Sequence, residues 1–101
     1  MVKVDLLRNG MEAEARVSGR IDSNSAKDLE DALLSVADRF DTVTLDFEKV
    51  PYISSAGLRA IGKLHRKMRE KNGRMIIRKV RKDVLDVFQV TGFRTVFEIE
   101  E

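Results

Sequence analysis

The chain has 101 residues, no cysteine, one histidine and a formal net charge of +2. This length suits one domain, residues 1–101, around one core. The lack of cysteine excludes disulfides, thiolate catalysis and Cys-based metal sites, and it fits a reducing cytoplasm. No apolar run approaches the roughly 20 residues that cross a bilayer. The N-terminal MVKVDLLRNG carries an acid inside a short apolar run and no small-residue cleavage site. Neither membrane association nor a signal peptide is expected, and the expected location is the cytoplasm.

Val2, Val4 and Leu6 alternate with polar residues, and Ala13, Ala15 and Val17 do so again. Asn9-Gly10 between them is a two-residue hairpin signal, so residues 2–8 and 11–18 are predicted to pair antiparallel. The period then changes. From Ser25 to Phe40, Ala26, Leu29, Ala32, Leu33, Val36, Ala37 and Phe40 recur at helical steps. Ser23, Asn24 or Ser25 is the expected cap of that helix. Thr42 to Phe47 reads as a strand. Leu58, Ile61, Leu64, His65 and Met68 predict a helix from Ala56 to Lys71, stopped by Asn72-Gly73. Arg74 to Lys79 reads as a buried strand, Val84 to Phe88 as a short helix closed by Gly92, and Thr95 to Ile99 as a final strand. The order β-β-α-β-α-β-α-β implies an α/β fold, a mixed sheet with an N-terminal hairpin and crossover helices. Sites in such sheets gather where strand C-termini meet helix N-termini.

The stretch VPYISSAGLRAIGKL, Val50 to Leu64, lies at such a junction and holds the only proline and the only tyrosine. Catalysis there is poorly supplied. Ser55 and the sole histidine, His65, lie ten residues apart, about 15 Å along one helix, too far for a nucleophile–base pair. There is no G-x-S-x-G elbow, no phosphate-cradling glycine pattern, and too few ligand residues for a metal. Neither an enzyme nor a resident cofactor or metal is expected. Basic residues gather at Arg59, Lys63, Arg66, Lys67, Arg69 and Lys71, while the first half is richer in acids. Few aromatics accompany them, and cations suit the last turns of a helix, so a solvated basic face is preferred to nucleic-acid binding. The Ser54-Ser55 pair has two readings. One serine caps the helix. A serine at the positive end of a helix is also a good place to add a phosphate without straining the fold, leaving charge and bulk to act on a partner.

At these residues the chain resembles a family. GRIDSNSAKDLEDAL, VTLDFEKVPYISSAGLRAI and NGRMIIRKVRKDVLDVFQVTGF follow one another in the order and spacing of STAS domains of the anti-sigma factor antagonist type. The resemblance covers nearly the whole chain, although many relatives continue past the position of Glu101 into a last helix. It implies a bacterial partner-switching module. In that family the unphosphorylated antagonist binds an anti-sigma factor that is also a serine kinase of the GHKL ATPase type. Phosphorylation releases it, and a separate serine phosphatase resets it, so that sigma-factor-dependent transcription is controlled. Matching Gly57-Leu58 to the family motif puts the phosphoacceptor on Ser55. Ser54 stands where the family often has Asp and is a second candidate acceptor. The resemblance puts partner binding on Asp22, Ser23, Asn24, Ser54, Ala56, Gly57 and Arg59. A scaffold or sensory STAS module that is never phosphorylated is the alternative.

Overall fold

In a computed structural model that describes residues 2–100, Lys3–Asn9 (β1) and Glu12–Ser18 (β2) form the hairpin, with Asn9 opposite Glu12. The turn residues are therefore Gly10 and Met11, one step later than the Asn9-Gly10 signal suggested. Gly10 takes the left-handed conformation at φ 61 that the turn requires. The other strands are Thr42–Lys49 (β3), Arg74–Arg78 (β4) and Glu98–Glu100 (β5), and the sheet order follows the chain, β1-β2-β3-β4-β5. Only the hairpin is antiparallel; each later strand joins its predecessor in parallel. Parallel neighbours need crossovers, and Ala26–Arg39 (α1), Ser55–Glu70 (α2) and Lys82–Thr91 (α3) provide them.

One face of the sheet is buried. Ala13 and Ala15 stand in register with Val43 and Leu45, and these with Met75 and Ile77; Val17 and Phe47 are buried too, beside the register shift between Arg16 and Ser18. Leu29 and Leu33 of α1, Ile61, Leu64 and Met68 of α2, and Val84 and Phe88 of α3 fill the same core. The opposite face carries Glu14, Arg16, Thr44, Asp46 and Arg78, and among the described residues no helix covers it. Its charges pair with one another, Arg16 with Glu14 at 2.7 Å and Arg78 with Glu14 at 3.3 Å. Asp46, buried there, accepts the Glu48 N–H at 2.9 Å and lies 3.7 Å from the Lys79 ammonium. A sheet wet on one side explains why its strands alternate apolar and polar instead of running apolar throughout. It also corrects the reading of Arg74 to Lys79 as a buried strand: β4 ends at Arg78, and within it only Met75 and Ile77 are buried.

The end of the chain departs further from expectation. Phe93–Thr95 closes into a 3-10 turn, and the last strand begins only at Glu98. The N–H groups of Val96 and Phe97 both bond the Phe93 carbonyl, and the Phe93 and Phe97 rings stack at 4.9 Å. This local pairing of aromatics outweighs the strand propensity of Thr95 to Phe97. No helix among the described residues is long and apolar enough to cross a membrane.

The stop of α2 is built by two residues with different tasks. Asn72, not the glycine, takes the left-handed position at φ 59. The Asn72 N–H bonds the Arg69 carbonyl at 3.0 Å and the Gly73 N–H the Met68 carbonyl at 2.7 Å, which closes the helix. Gly73 is needed for close approach: a Cβ there would stand 2.6 Å from the Asp41 carbonyl oxygen and 2.8 Å from Met68 Cε. Gly73→Ala should therefore destabilise the fold by about 2 kcal/mol. Asn72→Gly should be neutral or slightly stabilising. Urea unfolding of the two variants checks both.

Candidate functional site

Two loops meet beside the start of α2. One follows β2 and the other follows β3. Ile21 and Ile53 form an isolated parallel bridge between them. The Ile21 N–H bonds the Tyr52 carbonyl at 2.9 Å, and the Ser54 N–H bonds the Ile21 carbonyl at 2.7 Å. Both isoleucine side chains are buried. The bridge thus extends the β2–β3 pairing past the ends of both strands and delivers Asp22 and Ser54 to adjacent positions. Outside it, the Arg20 guanidinium lies 4.4 Å from the centre of the Tyr52 ring. This cation–π pair clasps the same two loops. Sequence reading missed it, although the single tyrosine of the chain was the available signal.

Gly57 is buried, which corrects its expected place on the partner-binding surface. A Cβ there would stand 2.5 Å from Ile21 Cγ2 and 2.8 Å from Ile53 Cγ1. Its role is to let the first turn of α2 lie directly on the bridge.

The two serines divide the work. Ser54 is the N-cap of α2, with extended backbone at φ −90 and ψ 172, and its hydroxyl oxygen accepts the Gly57 N–H at 3.1 Å. Ser54 is half-buried. Ser55 is already the first residue of the helix, one position earlier than predicted, and is exposed. No acid occupies the first turn of α2, so the positive end of its dipole meets no carboxylate of its own. The N–H groups of Ser55 and Ala56 have no partner among the described residues, as the first positions of a helix require. Ala56 is half-buried and Arg59 exposed, four residues beyond Ser55 on the same side of the helix.

Asp22 is turned inward to its own loop. Its Oδ1 accepts the N–H groups of Asn24 and Ser25, each at 3.0 Å, and the Ser25 hydroxyl at 3.1 Å. The Asp22 N–H in turn donates to Ser25 Oγ at 3.0 Å, and that hydroxyl also reaches the Arg20 carbonyl at 3.0 Å. Ser25, in the N-cap position of α1, makes no side-chain cap bond to the helix. At this end the Ser25 N–H is met by the Asp22 carboxylate and the Ala26 N–H by the Asp22 carbonyl at 3.0 Å, not by the side chain of Ser23, Asn24 or Ser25 as expected. The Ser25 N–H bond, above all, holds the Asp22 carboxyl below the ordinary aspartate range. Ser23 and Asn24 are left exposed on the crest of the loop.

His65 lies on the next turns of α2, edge-on to Phe97 at 5.6 Å. Burial, and then the charge of Arg69, push its pKa down.

Residues 10–101 match the model of the STAS domain family. The chain belongs to the STAS domain family. It is 31% identical over 86 residues to a candidate anti-sigma factor antagonist, BtrV of Bordetella bronchiseptica, covering 84% of this chain and 74% of that one. The fold is similar to that of a candidate anti-sigma factor antagonist of Thermotoga maritima, with a TM-score of 0.90, 12% identity, and coverage of 97% of this chain and 86% of that one. It is also similar to the Bacillus cell fate determinant SpoIIAA in its phosphorylated form, with a TM-score of 0.75, 17% identity, and coverage of 98% and 92%. At those identities the two structures speak to the STAS fold alone.

Ser54→Ala should cost about 1 kcal/mol of stability by removing the cap, and Ser54→Asp should keep it, because a carboxylate accepts the same N–H. Chemical denaturation of the pair checks this. The Asp22 loop should give a pH signature. A carboxyl whose folded pKa is depressed stabilises the fold above its unfolded pKa and loses that contribution as pH falls through the folded value. The stability advantage of the native chain over Asp22→Asn should therefore be full near neutrality and close below about pH 4. Urea midpoints across that range measure it; a gap independent of pH would refute the charged cap.

Proposed function

We propose that this STAS domain is an anti-sigma factor antagonist that switches partners through phosphorylation of Ser55. The observation that carries the reading is the division between the serines. Ser54 Oγ is spent on the cap, while Ser55 stands exposed at the amino end of a 16-residue helix with no acid in its first turn. In the proposed cycle the unphosphorylated surface of Ser23, Asn24, Ala56 and Arg59, shaped by Asp22 and Ser54, docks on an anti-sigma factor with serine-kinase activity. The Ser55 hydroxyl takes the γ-phosphoryl group of ATP held by that partner, ADP leaves and the hydroxyl proton is released. The added charge of about −1.5 to −2 meets unpaired N–H groups and the positive helix end, so the fold tolerates it. Arg59, one turn on, is spaced to pair with the phosphate and be withdrawn from the partner. Release follows from charge and bulk placed in the contact, and a serine phosphatase restores the hydroxyl. The chain contributes no catalytic group. The work takes place in the bacterial cytoplasm.

Intact mass after incubation with the anti-sigma kinase and ATP should show one added phosphate on the native chain and on Ser54→Asp, and none on Ser55→Ala. Ser55→Ala should bind the kinase as the native chain does, and Ser55→Asp should bind at least about tenfold more weakly. Equal binding of Ser55→Asp would defeat the charge switch. Binding without any phosphate gain would favour the unphosphorylated scaffold.

A further inference from the structure

A groove of about 630 Å³ runs along the outer side of α2, where the 3-10 turn and the residues after it lie against the helix. Its floor is apolar. Phe93 packs on Gly62, with a ring carbon 3.7 Å from where a Cβ would stand, and stacks on Phe97. Val96 completes the floor and is 50% exposed, apolar surface left in water. The rim is cationic. Arg59, Arg66 and Arg69 line it and make no ion pair among the described residues. Lys63 also lines it but is held by Glu30 at 3.2 Å, and Glu70 is the one acid present.

An apolar floor between unpaired arginines is surface without a partner in this chain. We propose that the groove receives an acidic amphipathic helix of a partner protein, with aliphatic side chains on Val96 and the open edge of Phe93 and carboxylates against Arg59, Arg66 and Arg69. Charge complementarity selects the sign of the occupant and suppresses basic ones. The length is suitable: Arg59 to Glu70 spans about 16 Å of helix axis, three turns. A helix laid in such a groove presents anchors every three or four residues, and the cations at 59, 66 and 69 follow the same rhythm. A nucleic acid would use the arginines but would leave Val96 idle. The proposal does not rest on phosphorylation of Ser55, and Ser55→Ala should give the same result, so its failure would leave the switch untouched.

The probe is a synthetic peptide of about four helical turns, leucine on one face and glutamate on the other, compared with its lysine counterpart and with polyglutamate of equal length. The acidic amphipathic peptide should bind, with amide shifts confined to residues 59–70 and 93–97. Val96→Asp and Arg66→Glu, both at exposed positions, should each weaken it about tenfold or more with the circular dichroism spectrum unchanged. Lack of binding, equal binding by the lysine peptide or by polyglutamate, or indifference to both substitutions would overturn the proposal.

Discussion

The bridge between Ile21 and Ile53 is the constraint on which the site depends. It forms beyond the ends of β2 and β3, and two backbone hydrogen bonds, Ile21 to Tyr52 and Ser54 to Ile21, tie the loops that carry Asp22 and Ser54. The helix start sits on this bridge only because residue 57 has no side chain. With any Cβ there, the first turn of α2 would lift away from Ile21, and the Ser54 cap and the exposed Ser55 would move with it. Core packing and surface display are therefore one arrangement seen from two sides.

The rest of the molecule holds that arrangement still. The loop after β2 is closed by Asp22 and Ser25, so its crest is fixed before any partner arrives. Helix α2 is fastened to α1 by ion pairs from Lys63 to Glu30 and from Lys67 to Asp38. The Lys71 ammonium reaches the Ala37 and Phe40 carbonyls at 2.7 and 2.9 Å, satisfying the carboxyl end of α1. Part of the basic run thus serves the fold. Arg59, Arg66 and Arg69 do not, and they face outward on the side of α2 that carries Ser55. The cations of one helix are divided between structural and free roles by which neighbour each can reach.

Much of this was legible in the chain. Period-two and helical spacing located the hairpin, β3 and helices α1 and α2, since one-sided burial forces the apolar residues of β2 and β3 to alternate and those of α1 and α2 to recur at three and four. Boundaries drifted where side chains bond backbone. The cap of α1 was sought among Ser23, Asn24 and Ser25, but an aspartate four residues before the helix takes the Ser25 N–H on its carboxylate and the Ala26 N–H on its carbonyl. The last strand was expected from Thr95 to Ile99, and the stacking of Phe93 on Phe97, four residues apart, took the first part of that segment instead.

The order of residues alone settled the α/β class, the serine pair at a strand-to-helix junction and the poverty of catalytic groups, because these follow from composition and local periodicity. It told the two serines apart only through the family resemblance, with Ser55 the first candidate acceptor and Ser54 the second, and it set Gly57 among the partner-binding residues. Folding separated them. Whether a hydroxyl caps a helix or faces water depends on where the helix begins, and that is decided by Ile21, more than thirty residues earlier, packing beneath Gly57. The groove was hidden for the same reason: Arg59, Gly62 and Val96 become neighbours only when the 3-10 turn folds back onto α2. Contacts between distant segments leave no periodic trace in a sequence.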